Sequence, residues 1–214
     1  MKAATLTKTA LISITLIFST TASAQFGGLS LPGKGIASGS AAASENPNDV
    51  VKNARNSLTS FVSAKLGLIE AMGGSEELAA QKKILEGLKK GDAAASKEDL
   101  ETVVSLDKAT GDMITKKTGE NAKLDAKNKA TASKSMAEYV KGLVSTKKMV
   151  SSVTNLSKNP TALGSNLGSV TFLAKELPGI VSSGTTTTST LFTYLNSNGV
   201  DTGEAKKAAG DLGV

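Results

Sequence analysis

The chain contains no histidine and no cysteine, and each absence closes a branch of chemistry. Histidine is the side chain that ordinarily titrates near neutral pH, and it is the commonest metal ligand. Without it, Ser-His-Asp and Cys-His catalysis are impossible, and zinc or copper sites lose their usual donors. Without cysteine there are no disulfides, and no lipid can be attached through a thioether after an export signal. Aromatic residues make up only 3%, and tryptophan is absent. A core of Leu, Val, Ile, Met and Ala suits helices that approach closely and suits a large β-sandwich poorly. Arginine occurs once, at Arg55; every other side-chain cation is a lysine. Lysine attracts anions as a point charge but lacks the fork that reads bases and phosphates, so specific nucleic-acid recognition is not expected. No cofactor is expected either. Catalysis would fall to carboxylates, lysine or tyrosine, and no constellation of these stands out.

What is present at the N-terminus has the three parts of a secretory signal. Lys2 and Lys8 supply the positive region, and Ala10 to Phe18 form an apolar run too short to cross a bilayer as a helix. Small residues follow in Ala22-Ser23-Ala24, predicting cleavage between Ala24 and Gln25. The alternative, an uncleaved membrane anchor, fits less well because Ser and Thr close the run early. Residues 25–45 are rich in Gly, Ser and Ala and are expected to form a disordered leader. Phe26, Leu29, Leu31 and Ile36 give that leader an alternative as a docking segment. Residues 46–214 are expected to form the folded domain.

Helical periodicity begins at Asn46-Pro47, an N-cap followed by a proline that forfeits no needed hydrogen bond. Val51, Leu58, Val62, Leu66 and Ile69 mark one face, and Gly73-Gly74 stops the helix. Ser75 would cap a second helix carrying Leu78, Ile84, Leu85 and Leu88, with Gly91 at its end; the short link predicts antiparallel packing. Ser96 and Asp99 are spaced as a capping box for a third helix along Leu100, Val103, Leu106, Thr110 and Ile114. A break or frayed turn is expected near Gly119 to Asn121, with one continuous helix as the alternative. Periodicity returns at Met136, Tyr139, Val140, Leu143 and Val153. Asn159-Pro160 repeats the helix-start signal, Pro178-Gly179 should end or kink that helix, and Ile180 to Leu195 would make a further one. The Thr-rich stretch from Thr185 to Thr190 disfavours helix. Against that, Gly199 with Leu195 and Val200 fits a Schellman ending, so helix is expected. Asp201 would cap a short last helix over Glu204 to Ala209. The fold class read from this pattern is all-α: a mostly up-and-down bundle of five or six helices.

Several short motifs carry little. Ser145-Thr146-Lys147-Lys148 fits S-x-x-K, and Lys117-Thr118-Gly119 reads K-T-G; both resemble fragments of the penicillin-recognising serine enzymes. Their order along the chain is reversed and no S-D-N accompanies them, so no catalytic residue is assigned. Asn196 to Asp201 is oxygen-rich like a calcium loop but lacks EF-hand spacing, and no metal site is assigned. Gly164-x-x-x-Gly168 is a small-residue pattern suited to close helix contact. Asn155-Leu156-Ser157 is a formal glycosylation sequon.

Lys116, Lys117, Lys123, Lys127, Lys129 and Lys134 lie in a stretch rich in lysine and are the candidate contacts to an anionic surface. The reading is an exported, periplasmic or secreted, non-enzymatic protein that works through protein–protein contact as an adaptor, assembly factor or surface component. Its expected partner is a protein of the cell envelope, with an anionic envelope polymer or lipid surface as a further partner and homo-oligomerisation left open. The alternative is a membrane-active or envelope-binding protein using a weakly charged C-terminal helical hairpin and the lysine-rich face. Pro160 to Val200 holds only Lys175 and Glu176 as charges.

Overall fold

The computed structural model describes residues 46–74, 78–90, 96–121 and 123–213. The signal with its Ala24/Gln25 junction, the leader, and the caps expected at Ser75 and Gly91 lie outside these residues. Six α-helices and no strand occur among the described residues: α1 Pro47–Ala71, α2 Ala79–Lys90, α3 Lys97–Gly119, α4 Ala126–Ser157, α5 Leu167–Ser197 and α6 Gly203–Ala209. The protein is an all-α bundle, as its periodicity implies.

Local signals set most of the boundaries. The Asn46 side chain accepts the Asn48 N–H at 3.0 Å ahead of Pro47. Helix α1 ends at Gly73, whose φ of +84° favours glycine. At α3 the Ser96 hydroxyl accepts the Asp99 N–H at 3.1 Å and the Asp99 carboxylate accepts the Ser96 N–H at 3.4 Å, a capping box closed by Asp in place of Glu. The break after Gly119 is real: Asn121 takes φ +50°, and Asp125 starts α4 by accepting the Asn128 N–H at 2.7 Å.

The region after α4 departs from expectation in three ways. Asn159-Pro160 does not start an α-helix; two 3₁₀ turns, Pro160–Ala162 and Gly164–Asn166, come first, and α5 begins only at Leu167. Leu163, buried between the turns, and Gly164, at φ +52°, hold this corner. Secondly, Gly164 and Gly168 straddle that corner; a Cβ on Gly164 would meet nothing within 4 Å and one on Gly168 only the Lys97 side chain at 3.6 Å, so the G-x-x-x-G pattern brings no two helix backbones together. Finally, Pro178 does not end the helix. Helix α5 runs through it to Ser197, so Leu167–Ser197 is a single helix and not the two arms of the expected hairpin. An interior proline costs about 3 kcal/mol. Buried Leu173 and Leu177 before it and Ile180, Thr188, Leu191 and Leu195 after it offset that cost by holding both halves on one core. Thr185, Thr186 and Thr188 fit the helix by donating their hydroxyls to the carbonyls of Val181, Ser182 and Gly184 at 2.8, 3.2 and 2.8 Å.

Contacts between helices give their directions. Glu70 meets Lys82 and Ser63 meets Lys89, so α2 runs against α1. Arg55 meets Asp99 and Lys65 meets Asp107, so α3 runs with α1. A Cβ on Gly67 would strike Ser135, and one on Gly142 would lie 2.9 Å from the Phe61 Cα, so α4 runs against α1. Direction therefore alternates along the chain. In space, α1, α3, α5 and α4 form a ring of four around the core, with α2 lying outside against α1 and α6 against α4. Because α2 leaves the ring, α1 and α3 are parallel neighbours. Lys108–Glu176 and Lys97–Gly168 proximity make α3 and α5 parallel as well.

Candidate functional site

The nominated lysines do not form one patch. Lys116 and Lys117 sit at the end of α3, where the Lys117 ammonium pairs with Glu120 at 3.4 Å. Lys123 is exposed in the link before α4. Lys129 turns away and brings its Nζ beside Gly199, where a cation is favoured by the carbonyl end of α5. Lys127 and Lys134 do share an exposed edge of α4, and two lysines outside the nominated set, Lys141 and Lys148, extend it. The four recur every seven residues, which places them about 10 Å apart along the axis with a drift of roughly 20° per step.

Helix α6 completes this edge. The Lys141 ammonium pairs with Glu204 and holds that carboxyl below its usual range. The Lys147 ammonium donates to the Asp211 carbonyl at 2.9 Å, and Lys206 lies 5.9 Å from the Phe192 ring centre. Residues 123–158 and 201–211 together carry ten lysines against five carboxylates; the remainder of residues 46–214 carries twelve cations against thirteen. The whole positive excess of the bundle therefore belongs to α4, α6 and their flanks. The spacing of seven was readable in the sequence. What concealed it was the helix break, which separates these lysines from Lys116 and Lys117.

The oxygens of Asn196 to Asp201 are engaged in the structure of the chain itself. Leu124 N–H donates to Asn198 Oδ1 at 3.1 Å, Thr202 donates to Asn196 Oδ1 at 3.0 Å, and Gly203 N–H donates to Asp201 Oδ1 at 2.8 Å. Val200 N–H bonds the Leu195 carbonyl and Gly199 N–H that of Asn196, both at 2.9 Å, the two bonds of a Schellman ending. Ser145 and Lys148 are exposed on α4, whereas the K-T-G residues end α3. Among the described residues no cluster of three acidic side chains could hold a metal ion.

A second feature is one that sequence reading did not single out. Lys65 on α1 and Asp107 on α3 form a buried ion pair, Nζ to Oδ1 2.7 Å, with side chains only 4% and 6% exposed. The ammonium also donates to the Asp107 carbonyl at 3.1 Å and lies 4.6 Å from the centre of the Phe61 ring. Phe61 in turn packs on Tyr139, ring centres 4.8 Å apart, and the Tyr139 hydroxyl donates to the Gly184 carbonyl at 2.9 Å. Burial pushes the Lys65 ammonium below its ordinary value despite the opposing pull of Asp107, and burial raises the Tyr139 hydroxyl well above its own.

Comparison with protein-family models, with curated proteins and with solved structures gives no match to this chain.

Proposed function

We propose that this is an exported, non-enzymatic helical protein acting through protein–protein contact. The lysine edge of α4 and α6 is the surface that docks an acidic protein partner in the cell envelope. The observation that carries this reading is the partition of charge: α4, α6 and their flanks hold all of the bundle's positive excess, with Lys127, Lys134, Lys141 and Lys148 in one exposed row. Such a row steers an acidic partner into register and sets its association rate more than its final affinity. Its reach is about 8–10 Å at physiological salt.

The alternative occupant is an anionic polymer or lipid surface. The hairpin expected for membrane insertion is absent, and among the described residues no helix is long and apolar enough to cross a membrane. The lysine edge could still attract lipid headgroups, and one experiment separates the two. Purified chain is sedimented with isolated cell envelopes, with protease-stripped envelopes and with anionic liposomes. Binding to intact envelopes alone, lost at least tenfold in the combined Lys127→Glu, Lys134→Glu and Lys148→Glu variant, supports the protein partner. Equal binding to stripped envelopes or liposomes transfers the surface to the alternative, and indifference to the charge reversal removes it as a docking site.

A further inference from the structure

Away from the lysine edge, the buried pair Lys65–Asp107 opens onto a cleft of about 360 Å³ between α3 and α5. Its lining includes Gly111 on α3 and Gly179 on α5, with Ser183 and Thr187, and carries the charged side chains of Asp112 and Glu176. Glycine is disfavoured within helices, and packing explains several of the interior glycines here but not all, since Gly87 has open space around it. At Gly67, Gly142 and Gly184 the reason is packing, since a Cβ there would fall 2.5, 2.9 and 2.6 Å from a neighbouring atom. Neither glycine of the cleft is needed in that way. A Cβ on Gly111 would make an ordinary 3.6 Å contact with the Lys65 Nζ, and one on Gly179 would meet nothing within 4 Å. At Gly111, which faces the amine, glycine leaves the way to Lys65 open, and Gly179 leaves the α5 wall of the cleft without a side chain.

We propose that Lys65 captures a small aldehyde in this cleft as a Schiff base. The Asp107 carboxylate, 2.7 Å from the ammonium, accepts its proton. The amine lone pair then adds to the carbonyl carbon, and a C–N bond forms as the C=O π pair moves to oxygen. Protons pass to that oxygen from Asp107 and from the nitrogen; the C–O bond breaks and water departs. Overall, ammonium and aldehyde give iminium and water, with no oxidant or reductant. The iminium carries the single positive charge of the ammonium it replaces, so the Asp107 carboxylate has a cationic partner both before the reaction and after it. The Phe61 face, 4.6 Å below the nitrogen, stabilises that cation equally in both states. Lowering of the Lys65 pKa by burial favours the neutral amine that the addition requires.

This inference is independent of the lysine edge, and the exposed lysines serve as its internal reference. The purified full chain is treated with propionaldehyde and cyanoborohydride to low conversion, and modified lysines are mapped by peptide mass. Lys65 is expected to be alkylated at least tenfold faster than exposed Lys83 and Lys134. Gly111→Leu retains the ion pair and closes the opening, and should slow Lys65 at least tenfold while leaving the reference lysines unchanged. Gly179→Leu closes the cleft from the α5 wall and should do the same, in case the first variant fails to fold by circular dichroism. Alkylation of Lys65 at or below the surface rate, or an unchanged rate in a folded Leu variant, overturns the proposal.

Discussion

Removing one member of the Lys65–Asp107 pair leaves the other as a buried charge without its ion-pair partner. Lys65→Met or Asp107→Leu alone is expected to cost about 3–5 kcal/mol, while the two together should be close to neutral; urea unfolding of the three variants measures this. The pair also leaves a signature in pH. Because burial lowers the Lys65 pKa, the folded chain releases that proton before the unfolded chain does. The penalty is fully present below the folded value and fades as pH rises toward the ordinary 10.5, so this residue's contribution to stability increases across that window. The double variant should lack that increase in urea midpoints measured from pH 8 to 10. Packing makes a separate prediction. Gly142→Ala drives a Cβ to 2.9 Å from the Phe61 backbone and should cost about 1–3 kcal/mol, whereas Gly87→Ala, with open space around it, should stabilise by about 0.5–1 kcal/mol in thermal melts. Both members of the ion pair fall on apolar stripes, where sequence reading passes over them. Lys65 falls between Leu58, Phe61 and Ile69, and Asp107 between Val103 and Ile114. A lone charge in a stripe usually means a frayed edge of the apolar face; only the packing of α1 beside α3 turns two such defects into one contact.

At the scale of elements, caps and endings were legible because each is a local exchange of hydrogen bonds. The Asn46 cap, the Ser96–Asp99 box and the Schellman ending at Gly199 need only the residues within one turn. Gly199→Ala, at φ +67°, should cost about 1–2 kcal/mol by denaturant unfolding, a direct check on that ending. Helix α5 was harder to read, because its two strongest local signals, Pro178 and the threonine run, both oppose helix. Burial along its whole length and hydroxyl bonds to carbonyls four residues back override them. At Asn159-Pro160 the local signal misled in the other direction. That dipeptide starts a 3₁₀ turn, and the chain needs two such turns to bring α5 beside the start of α1, where Asn166 donates to the Asn48 side chain at 2.8 Å.

The whole molecule alternates direction along the chain because its links are short, which the sequence conveyed. The ring order does not follow from link length. It depends on α2 packing outside α1, held partly by Lys82–Glu70 and the Lys89–Ser63 hydrogen bond. That order decides which charges become neighbours, so the lysine edge became visible only once α6 was placed on α4. Binding through this edge should weaken steeply between 50 mM and 500 mM salt, as sedimentation with envelopes would read, since exposed charges are screened over a few ångströms at high ionic strength. The central claim, an exported protein working by contact in the envelope, is tested most directly by cell fractionation with intact-mass analysis of each fraction. The account predicts a species beginning at Gln25 in the periplasmic or envelope fraction, released by salt where it is envelope-bound. An uncleaved chain held in the inner membrane, or a full-length chain in the cytoplasm, would contradict it.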